Sequence, residues 1–164
     1  MLPEFARNRV YTFPSTQDDS TAGRQDCAYT AMNFFNRIAD THFLDPDVIQ
    51  RTLVRDYLPV GEQPAFGDLV QLVDGEGKIF HMSVFLADDF VFTKNGVSLS
   101  EPWTIMRLKD MLTLYFANRT EGKVLLLRRR DFMSVPPSPS PKAVQSGLGH
   151  FTALSPELRV RDEK

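Results

Sequence analysis

The stretch GDLVQLVDGEGKIFHMSVFLADDFVFTK, residues 67–94, decides the fold of this chain. It contains three apolar runs, Leu69–Val73, Ile79–Ala87 and Phe90–Lys94, which are separated by short clusters of Asp and Gly. Runs of this kind, joined by turns this short, are typical of neighbouring antiparallel strands. The sequence therefore predicts a meander of three antiparallel strands.

Two helices are predicted upstream of the meander. The first begins after Asp26, a favoured N-cap residue, and its apolar residues keep helical spacing to about residue 40. The second begins at Asp45-Pro46, an N-cap followed by proline at the first helical position, and it ends at Pro59. Both helices are expected to lie against the sheet.

The remaining segments complete the fold prediction. Residues 1–25 are polar and rich in turn-forming residues, and a last strand is predicted over residues 122–130. Between the meander and that strand, a helix is predicted from about residues 100–103 onward. It would bury Ile105, Leu108, Leu112 and Tyr115. Because helices precede an antiparallel sheet, we predict an α+β protein with N-terminal helices packed on the sheet.

The chain of 164 residues divides after residue 132. Residues 1–132 are long enough for one domain with a hydrophobic core. Serine and proline alternate over residues 134–141, so residues 133–164 are predicted to be a Pro/Ser-rich spacer and a mobile C-terminal tail. The few apolar residues of the tail could dock on the domain or on a protein partner.

Composition and charge exclude several classes of function. The hydrophobic fraction is 42%, and the net charge of −2 gives no basic face, so no nucleic-acid partner is predicted. The single cysteine excludes an internal disulfide, and no apolar run is long enough to cross a membrane. The first residues lack the apolar core of a signal peptide, which predicts a cytoplasmic protein, with export by another route left open.

Cys27 is the candidate nucleophile. It falls in the first turn of the predicted helix, where unpaired backbone N–H groups and the helix dipole favour a thiolate. Most single cysteines are small buried hydrophobic residues, and a structural role is the alternative. A histidine on a distant strand would complete the pair that a thiol hydrolase needs.

Three histidines compete for the role of general base. His42 lies too far along the chain from the nucleophile, and His150 lies beyond the proline-rich spacer. His81 opens a strand, from which its side chain can project toward a helix end. An orienting partner is expected on the next strand, where Thr93 and Asn95 share a face. The amide of Asn95 is the better acceptor, although Asn-Gly is also a common turn pair.

The oxyanion of a tetrahedral intermediate needs hydrogen-bond donors. The backbone N–H of Cys27 is one candidate, and Tyr11, Arg24 or Gln25 could add a side-chain donor. No cofactor is predicted. No metal site is predicted either, because one cysteine and three scattered histidines lack the close spacing of zinc ligands.

The order of these motifs resembles the NlpC-type family of bacterial cell-wall cysteine peptidases, which have a papain-like fold. The likeness covers roughly residues 11–130. It rests on Asp26-Cys27 at a helix start, Gly-Asp-Leu-Val at residues 67–70, and His81 at the head of a strand. The resemblance implies hydrolysis of amide bonds in peptidoglycan stem peptides, with Cys27 as nucleophile and His81 as base.

The resemblance also assigns positions around this pair. It implies that Tyr11 helps to hold the oxyanion and that Thr93 occupies the place of the third polar residue. Two departures bear on the substrate: Tyr29 stands where a small residue is usual and could narrow the cleft, and Phe80 replaces a glycine. A cytoplasmic amidase, a protein deamidase and a toxin-like effector fit the same residues, so the predicted substrate is a peptide or amide.

Two functions are therefore consistent with these residues. The first is a thiol-dependent amide-bond hydrolase, a peptidase or amidase. The alternative is a catalytically weak or inactive domain that acts as a binding or scaffold protein. In that case the aromatic residues near the cleft would hold a ligand or partner: Tyr29, Phe34, Phe80 and Trp103.

Overall fold

A computed structural model describes residues 1–61, 63–119 and 121–133. These residues form an antiparallel sheet flanked by helices, which confirms the α+β prediction. The predicted spacer and tail, from residue 134 onward, lie outside the described residues. The strands are β1 Tyr57–Pro59, β2 Leu69–Val73, β3 Ile79–Ala87, β4 Phe90–Lys94, β5 Trp103–Arg107 and β6 Lys123–Arg129. They follow the order β1-β6-β2-β3-β4-β5 across the sheet.

The predicted meander is confirmed, since β2, β3 and β4 have the predicted bounds. The pairing of β2 with β3 is interrupted once. Leu72 lies opposite His81, but the next residue, Val73, lies opposite Ile79, so β3 carries one extra residue at Phe80. A bulge of this kind redirects the side chains beside it. His81 therefore lies next to an irregular point at the start of β3.

Helices cover both faces of the sheet. Three of them, α1 Glu4–Arg9, α2 Cys27–Asn33 and α3 Pro46–Asp56, pack on one side, which we call the α2 face. The fourth, α4 Leu108–Phe116, packs on the other side, the α4 face. Among the described residues, no helix is long and apolar enough to cross a membrane.

Alternation along the strands divides the core between these faces. Met82 and Phe92 are buried on the α2 face, whereas Phe85 and Val91 are buried against α4. Neighbouring side chains of a strand point to opposite faces, so each strand contributes to both cores. The sheet is thus the middle layer of three.

The helix predicted to run to about residue 40 ends at Asn33. The Asn33 side chain donates to the carbonyl of Tyr29 at 3.1 Å and accepts from the backbone N–H of Asp40 at 2.6 Å. These bonds satisfy backbone groups that a further helical turn would have used. The chain reverses there, and Phe34 packs into the α2-face core beside Phe92.

The helix predicted after the meander is wrong at its start. Trp103–Arg107 form β5, and α4 begins only at Leu108. Lys94 pairs with Trp103 across β4 and β5, and the Trp103 indole donates to Thr30 Oγ1 at 3.0 Å. These long-range contacts outweigh the local helical spacing of the apolar residues.

Of the helices that precede the sheet, α3 was predicted and α1 was not. Helix α3 begins at Pro46 with Asp45 as its N-cap, as predicted. Helix α1 lies in the segment that looked polar and rich in turns. It forms because Phe5 and Ala6 are fully buried on the α2 face.

Candidate active site

Cys27 is the first residue of α2. The prediction of Asp26 as N-cap is confirmed, because its Oδ1 accepts a hydrogen bond from the backbone N–H of Tyr29 at 2.8 Å. Cys27 is partly exposed, and its sulfur interacts with the backbone N–H groups of Met82 and Ala28. The start of α2 therefore holds the sulfur against the first half of β3.

The protonation of Cys27 differs from the sequence prediction. The pKa of the thiol is raised to about 11, mainly by burial and to a smaller extent by the nearby Asp26 carboxylate. The backbone N–H groups of Met82 and Ala28 lower the pKa, but by less. Desolvation outweighs the helix terminus, so the resting group is a thiol near pH 7. Burial thus opposes the thiolate that the helix start was predicted to favour.

His81 lies within the sheet and is only 1% exposed. Its Nε2 lies 3.0 Å from Thr93 Oγ1, and its ring stacks on Tyr115 with the two ring centroids 3.8 Å apart. Burial lowers the pKa of His81 to about 3, so the imidazole is neutral near pH 7. The ring is held on one edge and covered on one face.

The two residues proposed to orient His81 have different surroundings. Thr93 is fully buried beside the imidazole. Asn95 instead donates from Nδ2 to the sulfur of Met106 at 3.6 Å, and its Oδ1 accepts from the Tyr115 hydroxyl at 3.4 Å. Of the two candidates, Thr93 is the one in contact with His81.

Cys27 and His81 both lie beside the first half of β3. The sulfur interacts with the backbone N–H of Met82, the residue that follows His81. The imidazole stacks on Tyr115, and the charge of Cys27 raises the pKa of that same tyrosine. Within residues 1–61, 63–119 and 121–133, no hydrogen bond joins the Cys27 sulfur to His81. The structure places the two residues in one neighbourhood, beside the same strand.

Two of the predicted substrate-contacting residues have structural contacts instead. The amide of Gln25 is buried and donates to Asp19 Oδ2 at 2.6 Å and to Thr21 Oγ1 at 3.0 Å. Tyr29 is fully buried in the α2-face core, with its ring centroid 6.2 Å from that of Phe5. Gln25 therefore braces the loop before α2, and Tyr29 does not line an open cleft.

The other two predicted donors are exposed. Tyr11 is joined to β5 through its backbone, which donates to the carbonyl of Trp103 at 2.7 Å, and its side chain extends into solvent. Arg24 lines a cavity of about 360 Å³ together with His42 and the start of α3. Neither side chain forms a hydrogen bond with the site within the described part of the chain.

Of the other histidines, the structure describes only His42, which lies away from this site. His42 is exposed and pairs with Asp40 at 2.7 Å, and His150 lies outside the described residues. In the portions of the chain that the structure covers, no group of three His, Cys, Asp or Glu side chains is arranged to hold a metal ion.

Sequence reasoning missed two residues of this neighbourhood. Tyr115 was assigned to the core from its helical spacing, but its ring covers His81 and its hydroxyl reaches Asn95. Lys94 ends a strand and was given no role from the sequence, yet it is fully buried on the α2 face. The only sequence signal for Lys94 was its position next to Thr93 in an apolar run.

No family model matches the chain, and no curated protein matches it. Among solved structures, the chain is similar to an N-acetylmuramoyl-L-alanine amidase from Bacteroides uniformis, with 14% sequence identity and a TM-score of 0.30. The match covers 78% of this chain and 57% of the amidase chain. At this TM-score the likeness assigns the chain to no family, and membership of the NlpC-type family stays a hypothesis.

Proposed function

We propose that this protein is a thiol-dependent amide-bond hydrolase, with Cys27 as nucleophile and His81 as general base. One observation carries the proposal. The sulfur of Cys27, at the start of a helix, lies against the backbone N–H of Met82, the residue after His81. The helix that carries Cys27 thus begins beside the part of β3 that carries His81, and this supports the pairing of a nucleophile with a base.

The proposed first step starts from two neutral groups. His81 accepts the thiol proton as the sulfur attacks the carbonyl carbon of the substrate. Thr93 can select the tautomer for this task. If its hydroxyl donates to the carbonyl of Met82, at 3.4 Å, then His81 donates from Nε2 to Thr93 and keeps a lone pair on Nδ1. That lone pair is the proposed base.

In the later steps the thiol proton leaves with the amine, and a proton from water, carried by His81, restores the thiol. The backbone N–H of Cys27 is the proposed donor to the oxyanion. When the C–N bond breaks, His81 gives its proton to the leaving amine and Cys27 holds the acyl group as a thioester. A water molecule, deprotonated by His81, then attacks the thioester. The carboxylic acid leaves and the thiol is restored.

The proposed substrate class is a peptide or amide, and peptidoglycan stem peptides are the first candidate. This part of the proposal rests on the motif order around Cys27, residues 67–70 and His81. Protein deamidation uses the same chemistry on a side-chain amide and is the second substrate to test.

The experiment is hydrolysis of purified peptidoglycan sacculi and of a panel of peptide amides, followed by mass spectrometry of the products. Cys27→Ala is expected to abolish product formation, and His81→Ala to slow it by about 10²–10⁴-fold because the general base is lost. His42→Ala is the matched control and is expected to keep the wild-type rate, since His42 is exposed. Equal rates for the wild type and Cys27→Ala would refute the proposal.

A second function, a binding or scaffold domain without turnover, is favoured by a different observation. Burial leaves Cys27 with a pKa of about 11 and His81 with a pKa of about 3, which opposes an ion pair at rest. In this case wild type and Cys27→Ala would bind sacculi equally and release no product. Alkylation of Cys27 by iodoacetamide would also be insensitive to His81→Ala.

A further inference from the structure

The imidazole of His81 lies flat against the ring of Tyr115. The two ring centroids are 3.8 Å apart and the ring planes differ by 20°, which is a stacked arrangement. His81 is 1% exposed, whereas Tyr115, near the end of α4, is only partly buried. The Tyr115 ring therefore separates one face of the imidazole from solvent.

The Tyr115 ring is itself anchored by Asn95. The tyrosine hydroxyl donates to Asn95 Oδ1 at 3.4 Å, and Nδ2 of Asn95 donates to the sulfur of Met106 at 3.6 Å. Asn95 directly follows β4, on the face of the strand that also carries Thr93. Asn95 can therefore act on His81 indirectly, through the ring that covers it.

Water exclusion dominates the electrostatics of this stack. Burial lowers the pKa of His81 and raises that of Tyr115, so both rings are neutral near pH 7. Other titratable groups lie around the stack: Cys27 and Glu101, whose charges also raise the pKa of Tyr115, and Arg119, whose guanidinium carbon lies 4.0 Å from the centroid of the Phe80 ring. Burial, rather than one of these charges, accounts for the pKa of His81.

We propose that Tyr115, anchored by Asn95, is a positioning residue that fixes the plane of the His81 imidazole and shields one of its faces from water. Thr93 holds an edge of the same ring. With an edge and a face held, the imidazole keeps one orientation, as a general base requires. The inference rests on the proposed function for this purpose, but its measurements do not need turnover.

Two competing roles for Tyr115 make different predictions. An aromatic face stabilises a stacked cation, so in a cation–π role the loss of Tyr115 would lower the pKa of His81. In a packing role its loss would change the free energy of unfolding and leave the titration of His81 in place. Loss of a shield admits water and would raise the pKa of His81. The direction of the change therefore separates the three roles.

The first experiment follows the titration of His81 by NMR of the imidazole in the full chain between pH 8 and pH 4.5. The signal is assigned by its absence in His81→Phe. The wild type is expected to show no inflection in this range, because the pKa of His81 is lowered to about 3. Tyr115→Leu is expected to raise the inflection by about 2 pH units, which brings it into the range. Tyr115→Phe keeps the ring and should show no inflection.

The matched control is Phe116→Leu. Phe116 follows Tyr115 on α4, and its ring packs on Phe80 with the two centroids 5.5 Å apart. This variant loses an aromatic ring from the same end of the helix and is expected to keep the wild-type titration of His81. The inference is overturned if Tyr115→Leu shows no inflection, or if both Leu variants show the same one.

A second measurement keeps the test informative if Tyr115→Leu does not fold. Diethyl pyrocarbonate modifies accessible neutral imidazoles, and peptide mapping by mass spectrometry gives the rate for His81 at pH 7. Asn95→Ala and Tyr115→Phe each remove the anchoring hydrogen bond, so each should speed the modification about fivefold. The double variant should be no faster than either single variant, because both break the same contact.

The control for this measurement is Asn118→Ala, at an exposed position after α4, which should keep the wild-type rate. Wild-type rates in both Asn95→Ala and Tyr115→Phe would overturn the anchoring of the ring and with it the inference.

These outcomes are distinguishable from failure of the proposed function. If Cys27→Ala hydrolyses substrate as fast as the wild type while Tyr115→Leu shows the expected inflection, the proposed function fails and the position of Tyr115 stands. If Cys27→Ala abolishes hydrolysis, the low-pH decline of the hydrolysis rate in Tyr115→Leu should move to higher pH together with the His81 inflection. A decline that stays in place would overturn the role of Tyr115.

Discussion

The two faces of the sheet differ in the polar groups that they bury. On the α2 face, the sulfur lies beside the Asp26 carboxylate at the helix cap, and the side chain of Lys94 is fully buried at the end of β4. On the α4 face, the buried groups around His81 are uncharged, namely Thr93 and the stacked Tyr115. The two candidate residues, Cys27 and His81, therefore lie in environments with different electrostatics.

This difference predicts opposite sensitivities to pH. Burial disfavours the ionised form of each group, which is the cation of His81 and the anion of Cys27. The free energy of unfolding is therefore expected to fall in acid because of His81 on the α4 face, and in alkali because of Cys27 at the start of α2.

The largest expected effect is acid destabilisation through His81. Its folded-state pKa of about 3 lies below its ordinary value of 6.5, so the unfolded chain takes up the proton first as the pH falls. This contribution to stability is intact above pH 6.5 and is lost progressively toward pH 3. At pH 5 the loss should be about 2 kcal/mol, measured as the free energy of unfolding in urea.

The matched pair for this measurement is His81→Phe and His42→Phe. His81→Phe should remove the decline between pH 7 and pH 5, whereas His42→Phe should keep it because His42 is exposed. A wild-type stability that stays flat over this range would contradict the neutral, buried imidazole.

The next effect concerns Thr93. Thr93→Val removes the hydroxyl and leaves the Nε2 edge of the imidazole without its partner, at nearly constant volume. We expect alkylation of Cys27 at pH 7 to slow about tenfold, since an unoriented imidazole accepts the thiol proton less well. Thr104→Val is the control, because Thr104 lies opposite Thr93 in the strand register. Equal slowing by both variants would point to a general loss of packing.

The smallest effect is alkaline destabilisation through Cys27. Its folded-state pKa of about 11 lies above its ordinary value of 9.0, so the unfolded chain loses the proton first as the pH rises. The contribution is intact below pH 9 and is lost through pH 11. At pH 10 the loss should be about 1 kcal/mol. Cys27→Ala should flatten urea-unfolding stability between pH 9 and pH 10, and an unchanged slope would argue against a buried thiol.

The central strands were predictable because their signal is local. Residues 69–73, 79–87 and 90–94 are apolar runs closed by Asp and Gly, and their bounds agree with the structure. The N-cap at Asp26 was predictable for the same reason, since a cap depends on residues within one turn. The ends of the helices were not predictable in this way, because they depend on contacts with more distant residues. Asn33 ends α2 through a hydrogen bond to Asp40, seven residues away.

The candidate site was less predictable than the strands. Residue type named Cys27 and His81 and favoured Asn95 as the partner of His81, whereas Thr93 followed from strand alternation and the family resemblance. The contact of Asn95 with Tyr115 depends on how α4 packs, and α4 begins later than its apolar spacing predicts. The role of Tyr115 could not be read from a sequence in which it looks like any core aromatic residue.

The sequence by itself determined the meander, the cap of the cysteine helix and the residues with the chemistry for a thiol hydrolase, because each depends on neighbours along the chain. Only the tertiary structure decided the protonation of Cys27 and His81, the burial of Lys94 and the choice of Thr93 beside the imidazole. Those properties depend on which groups exclude water from a side chain, and the excluding groups come from distant segments on both faces of the sheet.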